Sequence, residues 1–174
     1  MKSVIITAES TAPGDSNGVT ITIRPGAYSP DAAVFARELY EMYWGYSSLQ
    51  GWTVDIISYV PDGEAGIKEA VILVEGAGVY EQLKYETGVH RVQRAPADER
   101  WGRIHTSVAR VSVQPTTQGR PVTLPTESPS EKIRTYNVPD NRVTDHRIRF
   151  TVAGVREVLD GNLAPFIDKL RTDC

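Results

Sequence analysis

The chain has 174 residues, 40% of them hydrophobic and 24% charged, with a formal net charge of −3. That is enough for one compact domain with a genuine core, and the mild acidity argues against a generic nucleic-acid binder held by overall charge. No run of 18 apolar residues exists to span a membrane, the N-terminal apolar run is too short for a signal peptide, and a single cysteine, Cys174, excludes an internal disulfide and points to the cytoplasm.

Taken in chain order, Val19 to Arg24 alternates β-branched residues and predicts a strand ended by Pro25-Gly26. Ser29-Pro30-Asp31 then reads as a helix start: an N-cap, a proline at the first helical position, and an acid toward the positive end of the dipole. Phe35, Leu39, Met42, Tyr46 and Leu49 follow at helical spacing as one core stripe, and Gly51 stops the helix. Trp52–Tyr59 and Ile67–Val74 read as strands around a turn at Pro61-Asp62-Gly63, a hairpin signal. Val79–Lys84 suggests a short helix. His90–Ala95 and Thr106–Gln114 read as paired strands around a loop from Pro96 to Arg103. Ile133–Asn137 is a further strand, Thr151–Leu159 a short helix, and Leu163, Phe166, Ile167 and Leu170 form a last amphipathic helix capped by Asn162. The expected fold class is α+β, a sandwich of helices on one face of a mostly antiparallel sheet in a single compact domain. Its divisions are a core at 1–114, a Pro-rich linker at 115–130, and a C-terminal segment at 131–174 that completes the same unit.

Several chemistries find no carrier. No Cys-x-x-Cys or His-Glu-x-x-His offers a zinc site, no Walker loop or Gly-x-Gly-x-x-Gly a nucleotide site, and no Gly-x-Ser-x-Gly a nucleophile. No cofactor is expected. Asp145-His146 places an acid beside an imidazole, but adjacency is not catalytic geometry.

The informative stretch is Gly88–Ser107, which holds four arginines and two of the three histidines together with Gln93, Thr106 and Ser107. Guanidinium planes, imidazoles and small hydroxyls suit unpaired bases and phosphates. The segment Arg91–Arg110 carries a net +3 and Lys132–Arg149 another +3, which leaves −9 for the rest of the chain. One basic face on an acidic body accounts for this; two solvated loops that happen to be basic would account for it as well.

These residues carry a resemblance. Gly78-Val79-Tyr80-Glu81-Gln82-Leu83-Lys84-Tyr85-Glu86-Thr87-Gly88-Val89-His90-Arg91-Val92-Gln93-Arg94, then Gly102-Arg103-Ile104-His105-Thr106-Ser107, then Arg134-Thr135-Tyr136-Asn137 and Arg142-Val143-Thr144-Asp145-His146-Arg147-Ile148 follow one family's pattern in order. The chain resembles, over roughly residues 19 to 170, the codon-recognition superdomain of bacterial class I peptide chain release factors of the type that reads UAA and UAG. The resemblance implies that His105 stacks between the second and third codon bases, a contact worth about 1–3 kcal/mol. It also implies that Gln93 and Thr106 read the edge of the third base. Arg91, Arg94 and Arg103 are candidates for phosphate or ribosomal RNA contacts by charge alone; the plainer alternative for each is a surface ion pair worth about 0–1 kcal/mol.

Two departures fall on reading positions. Where the family has Pro-x-Thr, this chain has Pro96-Ala97-Asp98. A threonine hydroxyl donates and accepts; an ionised aspartate only accepts, so Asp98 would repel the O4 of a first-position uridine and favour an exocyclic amine. Alternatively, Asp98 caps its own loop. Where the family has Gly-x-Gly-Gly-x-Glu, this chain has Gly26-Ala27-Tyr28-Ser29-Pro30-Asp31, so Tyr28 and Ser29 add bulk at the helix tip and Asp31 shortens the acid. First-base reading is therefore expected to be altered or lost, with the third-base block intact.

In such factors a separate domain carries Gly-Gly-Gln and promotes peptidyl-tRNA hydrolysis, and a helical domain precedes the whole. No Gly-Gly-Gln occurs in this chain, and only the Pro-rich link stands in its place. The expectation is a noncatalytic factor, not an enzyme, that occupies the decoding site of the small ribosomal subunit in termination, its regulation, or ribosome rescue. It would act with a separate Gly-Gly-Gln protein and without a membrane. Two other classes compete: an RNA-binding protein acting off the ribosome, and an interaction module that has lost RNA binding.

Overall fold

A computed structural model of the chain describes residues 17–27, 29–116 and 129–173. In chain order the elements are β1 (Gly18–Pro25), α1 (Pro30–Leu49), β2 (Thr53–Asp62), β3 (Gly66–Glu75), α2 (Val79–Leu83) running into a 3-10 turn (Lys84–Glu86), β4 (Gly88–Arg94), β5 (His105–Pro115), β6 (Lys132–Asn137), β7 (Arg142–Asp145), β8 (Phe150–Ala153), α3 (Val155–Leu159) and α4 (Ala164–Asp173). The strands form one sheet in the order β2-β3-β1-β5-β4-β6-β7-β8. Six of its seven neighbouring pairs are antiparallel; β4 and β6 run parallel. This is the α+β architecture expected from the intermixed strand and helix patterns.

Local chemistry explains most of the boundaries. Ser29 has an extended backbone (φ −145°, ψ 139°), and its hydroxyl accepts the Ala32 N–H at 3.0 Å, with Pro30 opening the first turn. At the far end Gly51 takes φ +75° and donates to the Ser48 carbonyl. Phe35, Leu39, Met42 and Tyr46 are buried against the sheet, so the apolar stripe of α1 is core. Leu49 is not part of it: at 72% exposure it projects into solvent from the last turn. Alternation gives β1, β3 and β5 one face made of Val19, Ile21, Ile23, Ile72, Val74, Ala109 and Val111, all buried in the main core.

Several details differ from the sequence reading. Pro61 and Asp62 still pair with β3, helped by a register shift between Val60 and Pro61, so the turn falls at residues 63–65. Thr151 lies in β8 rather than a helix; α3 starts only after Gly154, whose φ of +97° turns the chain out of the sheet. β7 was not anticipated. It is four residues of mixed polarity, and it exists because it pairs on both sides, with β6 and with β8. At the last helix, Leu163 rather than Asn162 stands before the first helical residue, its carbonyl accepting from Ile167. The Pro-rich stretch begins inside β5 at Pro115, and the Pro129 carbonyl accepts from Arg110 at 2.6 Å. Residues 117–128, Tyr28 and Cys174 lie outside the described residues.

The C-terminal segment joins the core through a buried charge cluster. The Arg134 guanidinium is wholly buried, donates to both Glu86 oxygens at 2.7 and 2.9 Å and to Asp145 at 3.1 Å, and lies 4.6 Å from the centre of the Phe166 ring. Asp145 also accepts from the backbone N–H and the guanidinium of Arg147. Burial pushes both carboxyls up, but the arginines more than offset it, and both sit below the usual carboxylate range. His90 stands beside this cluster, its Nε2 3.0 Å from the Glu86 carbonyl and its Nδ1 3.0 Å from the Tyr136 hydroxyl. A carbonyl only accepts, so Nε2 carries the proton and Nδ1 accepts from the tyrosine. Burial, seconded by Arg134, lowers its pKa to about 4 and keeps it neutral. The neighbours Asp145 and His146 diverge: the acid goes to the arginines, while the imidazole Nε2 lies 2.6 Å from the Thr135 hydroxyl. They form no catalytic pair.

A close approach locks the other end of α1. A Cβ at Gly45 would stand 2.6 Å from the Asp160 carbonyl, and one at Gly161 would stand 2.8 Å from the Tyr46 nitrogen. Glycine at both positions lets the turn between α3 and α4 seat directly on the helix backbone.

Candidate functional site

The β4–β5 register places the residues of interest. Gln93 stands directly opposite Thr106, and Arg94 opposite His105. Side chains alternate along a strand, so Gln93 and Thr106 share one face while Arg94 and His105 share the other. The second face is the one covered by α1, where Arg94 and Ser107 both reach Asp31. The first face carries Arg91, whose Nε donates to Thr135 at 3.1 Å, and His146 beyond it.

At the end of these strands a cleft of about 300 Å³ opens between the tip of α1 and the β4–β5 loop, walled by Ser29, Asp31, Pro96, Asp98, His105 and Thr106, among others. Six of the ten residues singled out from the sequence therefore meet in one place. Gln93 lies outside the cleft wall but across the strand pair from Thr106. A larger hollow of about 1030 Å³ shares Ser29 and Pro30 and extends toward the β2–β3 turn; its Arg24 is already paired with Glu69 at 2.7 Å.

The residues expected to read bases all reach solvent to some degree. His105 has 49% of its side chain exposed, Thr106 is exposed, and Gln93 is half-buried. Asp98 is exposed and has no hydrogen bond or ion pair among the described residues, so the self-capping role open to it in the sequence is not taken up. The neighbouring acid takes it instead. Glu99 accepts from the Trp101 backbone N–H and from the Arg103 guanidinium, both at 3.1 Å, and its Oε1 lies 3.5 Å from His105 Nε2. The Arg103 hydrogen bond is the main reason its carboxyl sits below the ordinary glutamate range. The sequence reading passed over Glu99; its four-residue spacing to Arg103 was the available signal.

The three arginines divide. Arg94 is committed to the fold: it bonds Asp31 at 2.8 Å and Glu38 at 2.7 Å, with only 15% of its side chain exposed. Burial lowers its pKa, but the two carboxylates raise it further, so its charge is fixed and already neutralised. Its phosphate-contacting role is thereby displaced by a structural one, that of clamping β4 to the first turns of α1. Arg91 is half-buried on the opposite face with its Nε engaged. Arg103 pairs with Glu99 at 3.0 Å yet keeps 70% of its side chain in solvent. Asp31 is likewise occupied by Arg94 and by the Ser107 hydroxyl at 3.0 Å, and Ser29 caps the helix. Both border the cleft as rigid walls. Among the described residues no three of His, Cys, Asp and Glu gather as metal ligands, and no helix is long and apolar enough to cross a membrane.

Comparison with known proteins shows the family. A model of the PCRF domain matches residues 3–111. Peptide chain release factor 1 of Dictyoglomus turgidum is 34% identical, the match covering 91% of this chain and 65% of that protein. The same factor of Desulforudis audaxviator is 33% identical over 92% of this chain and 68% of its own length. RF2 of Thermus thermophilus shares the fold, with a TM-score of 0.79 over 93% of this chain and 69% of that one at 23% identity. The chain thus spans about two thirds of the length of the curated relatives it matches. The aligned span with the Dictyoglomus protein, 239 residues, is longer than this chain of 174, so that relative carries residues inside the match that have no counterpart here. With a PCRF domain model matching more than half of this chain and release factors about a third identical to it, the chain belongs to the bacterial peptide chain release factor family.

Proposed function

We propose that this chain is a noncatalytic release-factor-like protein that binds the decoding site of the small ribosomal subunit and leaves hydrolysis to a separate Gly-Gly-Gln protein. One observation carries the reading. His105 stands at the end of β5, at the junction of two differently equipped surfaces. On the α1 side lies the cleft with Asp98, Asp31 and Ser29; Thr106 stands at its rim, paired across the strands with Gln93, which lies outside the cleft wall. An imidazole in that position can separate bases entering the cleft from a base read outside it, stacking on either through its ring. The hydroxyl and amide of the outer pair offer both donors and acceptors to a base edge.

First-base reading differs from that of a uridine-selective site. Asp98 presents to the cleft a carboxylate that has no hydrogen bond or ion pair among the described residues, and such a group accepts hydrogen bonds and repels a carbonyl oxygen. A first-position cytosine or adenine, with its exocyclic amine, fits better than uridine. The family's tripeptide Gly-Gly-Gln is not among these 174 residues, which supports a binding role over a hydrolytic one.

Cosedimentation with small subunits programmed with defined codons tests the proposal. Wild-type protein is expected to bind, to lose binding on His105→Ala, and to bind less as salt rises. Asp98→Thr is expected to shift preference toward codons that begin with uridine. Competition by the wild-type chain with an intact release factor at UAA but not at sense codons would refute the altered first-base reading. Binding to free RNA alone would move the function off the ribosome.

A further inference from the structure

We infer that Trp101 is a stacking platform for an unpaired nucleobase, a contact separate from the His105 stack and held by the same loop; the inference rests on the proposed RNA-binding role of the cleft. Trp101 is 78% exposed, more than the other large hydrophobic side chains exposed in the structure, and Ile104 beside it is 54% exposed. A solvent-facing indole is costly to keep in water and is a common anchor in recognition.

The indole does not hang on a slack tether. The Trp101 N–H donates to Glu99, and the same carboxylate holds Arg103 and approaches His105. The Glu99 N–H in turn donates to the Pro96 carbonyl at 3.0 Å, closing the base of the loop. Directly after the indole, Gly102 takes φ +70°, a turn that a side-chain-bearing residue adopts only with strain. One carboxylate thus fixes the backbone under Trp101, the cation of Arg103 and the imidazole of His105 as a single unit.

The surroundings choose nucleic acid over protein. Arg100 is exposed and makes no hydrogen bond or ion pair among the described residues, and Arg103 keeps most of its side chain in solvent. An unpartnered guanidinium at Arg100 and a largely solvent-exposed one at Arg103, anchored at its Glu99 end, flank the presented ring in the chain and match a base with its neighbouring phosphates, the combination used to hold single strands.

The test measures equilibrium binding of the full chain, Trp101→Ala and Trp101→Phe to programmed small subunits and to an unstructured twelve-nucleotide RNA. Indole fluorescence is followed in both arms, the Trp101 signal being the difference between wild type and Trp101→Phe. Expected are a roughly tenfold loss for Trp101→Ala, most of the affinity retained by Trp101→Phe, unchanged thermal midpoints, and quenching of Trp101 by bound RNA. Trp101→Ala binding subunits as well as wild type would overturn the inference while leaving the decoding-site reading intact. Ultraviolet crosslinking of Trp101 to a ribosomal protein rather than RNA would overturn it too. Should wild type not bind subunits, the decoding-site reading fails. The oligonucleotide arm then decides: quenching upholds the stack, and no quenching ends it.

Discussion

Arg134→Met is the perturbation that best isolates what holds the two halves of the chain together. Wild-type Arg134 is fully buried and makes three charge-assisted hydrogen bonds, two to Glu86 and one to Asp145. Asp145 keeps Arg147 when Arg134 is removed, so the stranded charge is that of Glu86, left among the described residues with the Tyr43 hydroxyl at 2.9 Å. Removing one partner of a buried ion pair costs about 3–5 kcal/mol, and methionine recovers part of the packing against Phe166, so a loss of about 4 kcal/mol is expected. For a domain of this size that lowers Tm by roughly 10 °C. The pH dependence has a defined sign. Without the guanidinium, burial governs Glu86 and raises its carboxyl pKa in the folded state. A raised folded-state pKa favours the fold at low pH and penalises it as pH rises, so the variant's deficit shrinks between pH 7 and pH 5. Adding Glu86→Gln to Arg134→Met removes the stranded charge and recovers more than half of the loss. Urea denaturation of the cycle at pH 5, 6 and 7 measures all of this. A loss below about 1 kcal/mol, or a deficit that ignores pH, would refute the account of the cluster.

In the wild type, His90 titrates in the opposite sense to that buried Glu86. Its folded-state pKa of about 4 lies below the ordinary 6.5, so its contribution is complete above pH 6.5 and is lost as pH falls toward 4, by about 3 kcal/mol in all; denaturation midpoints across that window read it directly. Gly45→Ala places a methyl 2.6 Å from the Asp160 carbonyl and is expected to cost about 1–3 kcal/mol, with an unchanged urea midpoint meaning that the α3–α4 turn retreats freely. Glu99→Gln removes the charge that gathers Arg103 and His105; small-subunit binding is expected to fall several-fold while the thermal midpoint holds, and an equal fall in both would make Glu99 a fold residue instead.

Read alone, the sequence determined the features set by near neighbours. Ser29, Pro30 and Gly51 fix the ends of α1 by capping and left-handed geometry, alternation fixes β1 and β3, and the paired strands around the Pro96 loop follow from their flanking turn residues. The motif resemblance located the loop and most of the cleft wall. Tertiary structure alone decided what depends on partners distant in sequence. β7 exists only through its neighbours, and Leu49 has the spacing of a core residue yet is left in solvent by the packed fold. Arg94 and Arg103 read alike as cations; one is spent on Asp31 and Glu38 across a gap of 56 residues or more, while the other stays in water. A charge is available for binding only if no carboxylate folds against it, and which carboxylate arrives is a property of the packed chain, not of the local string.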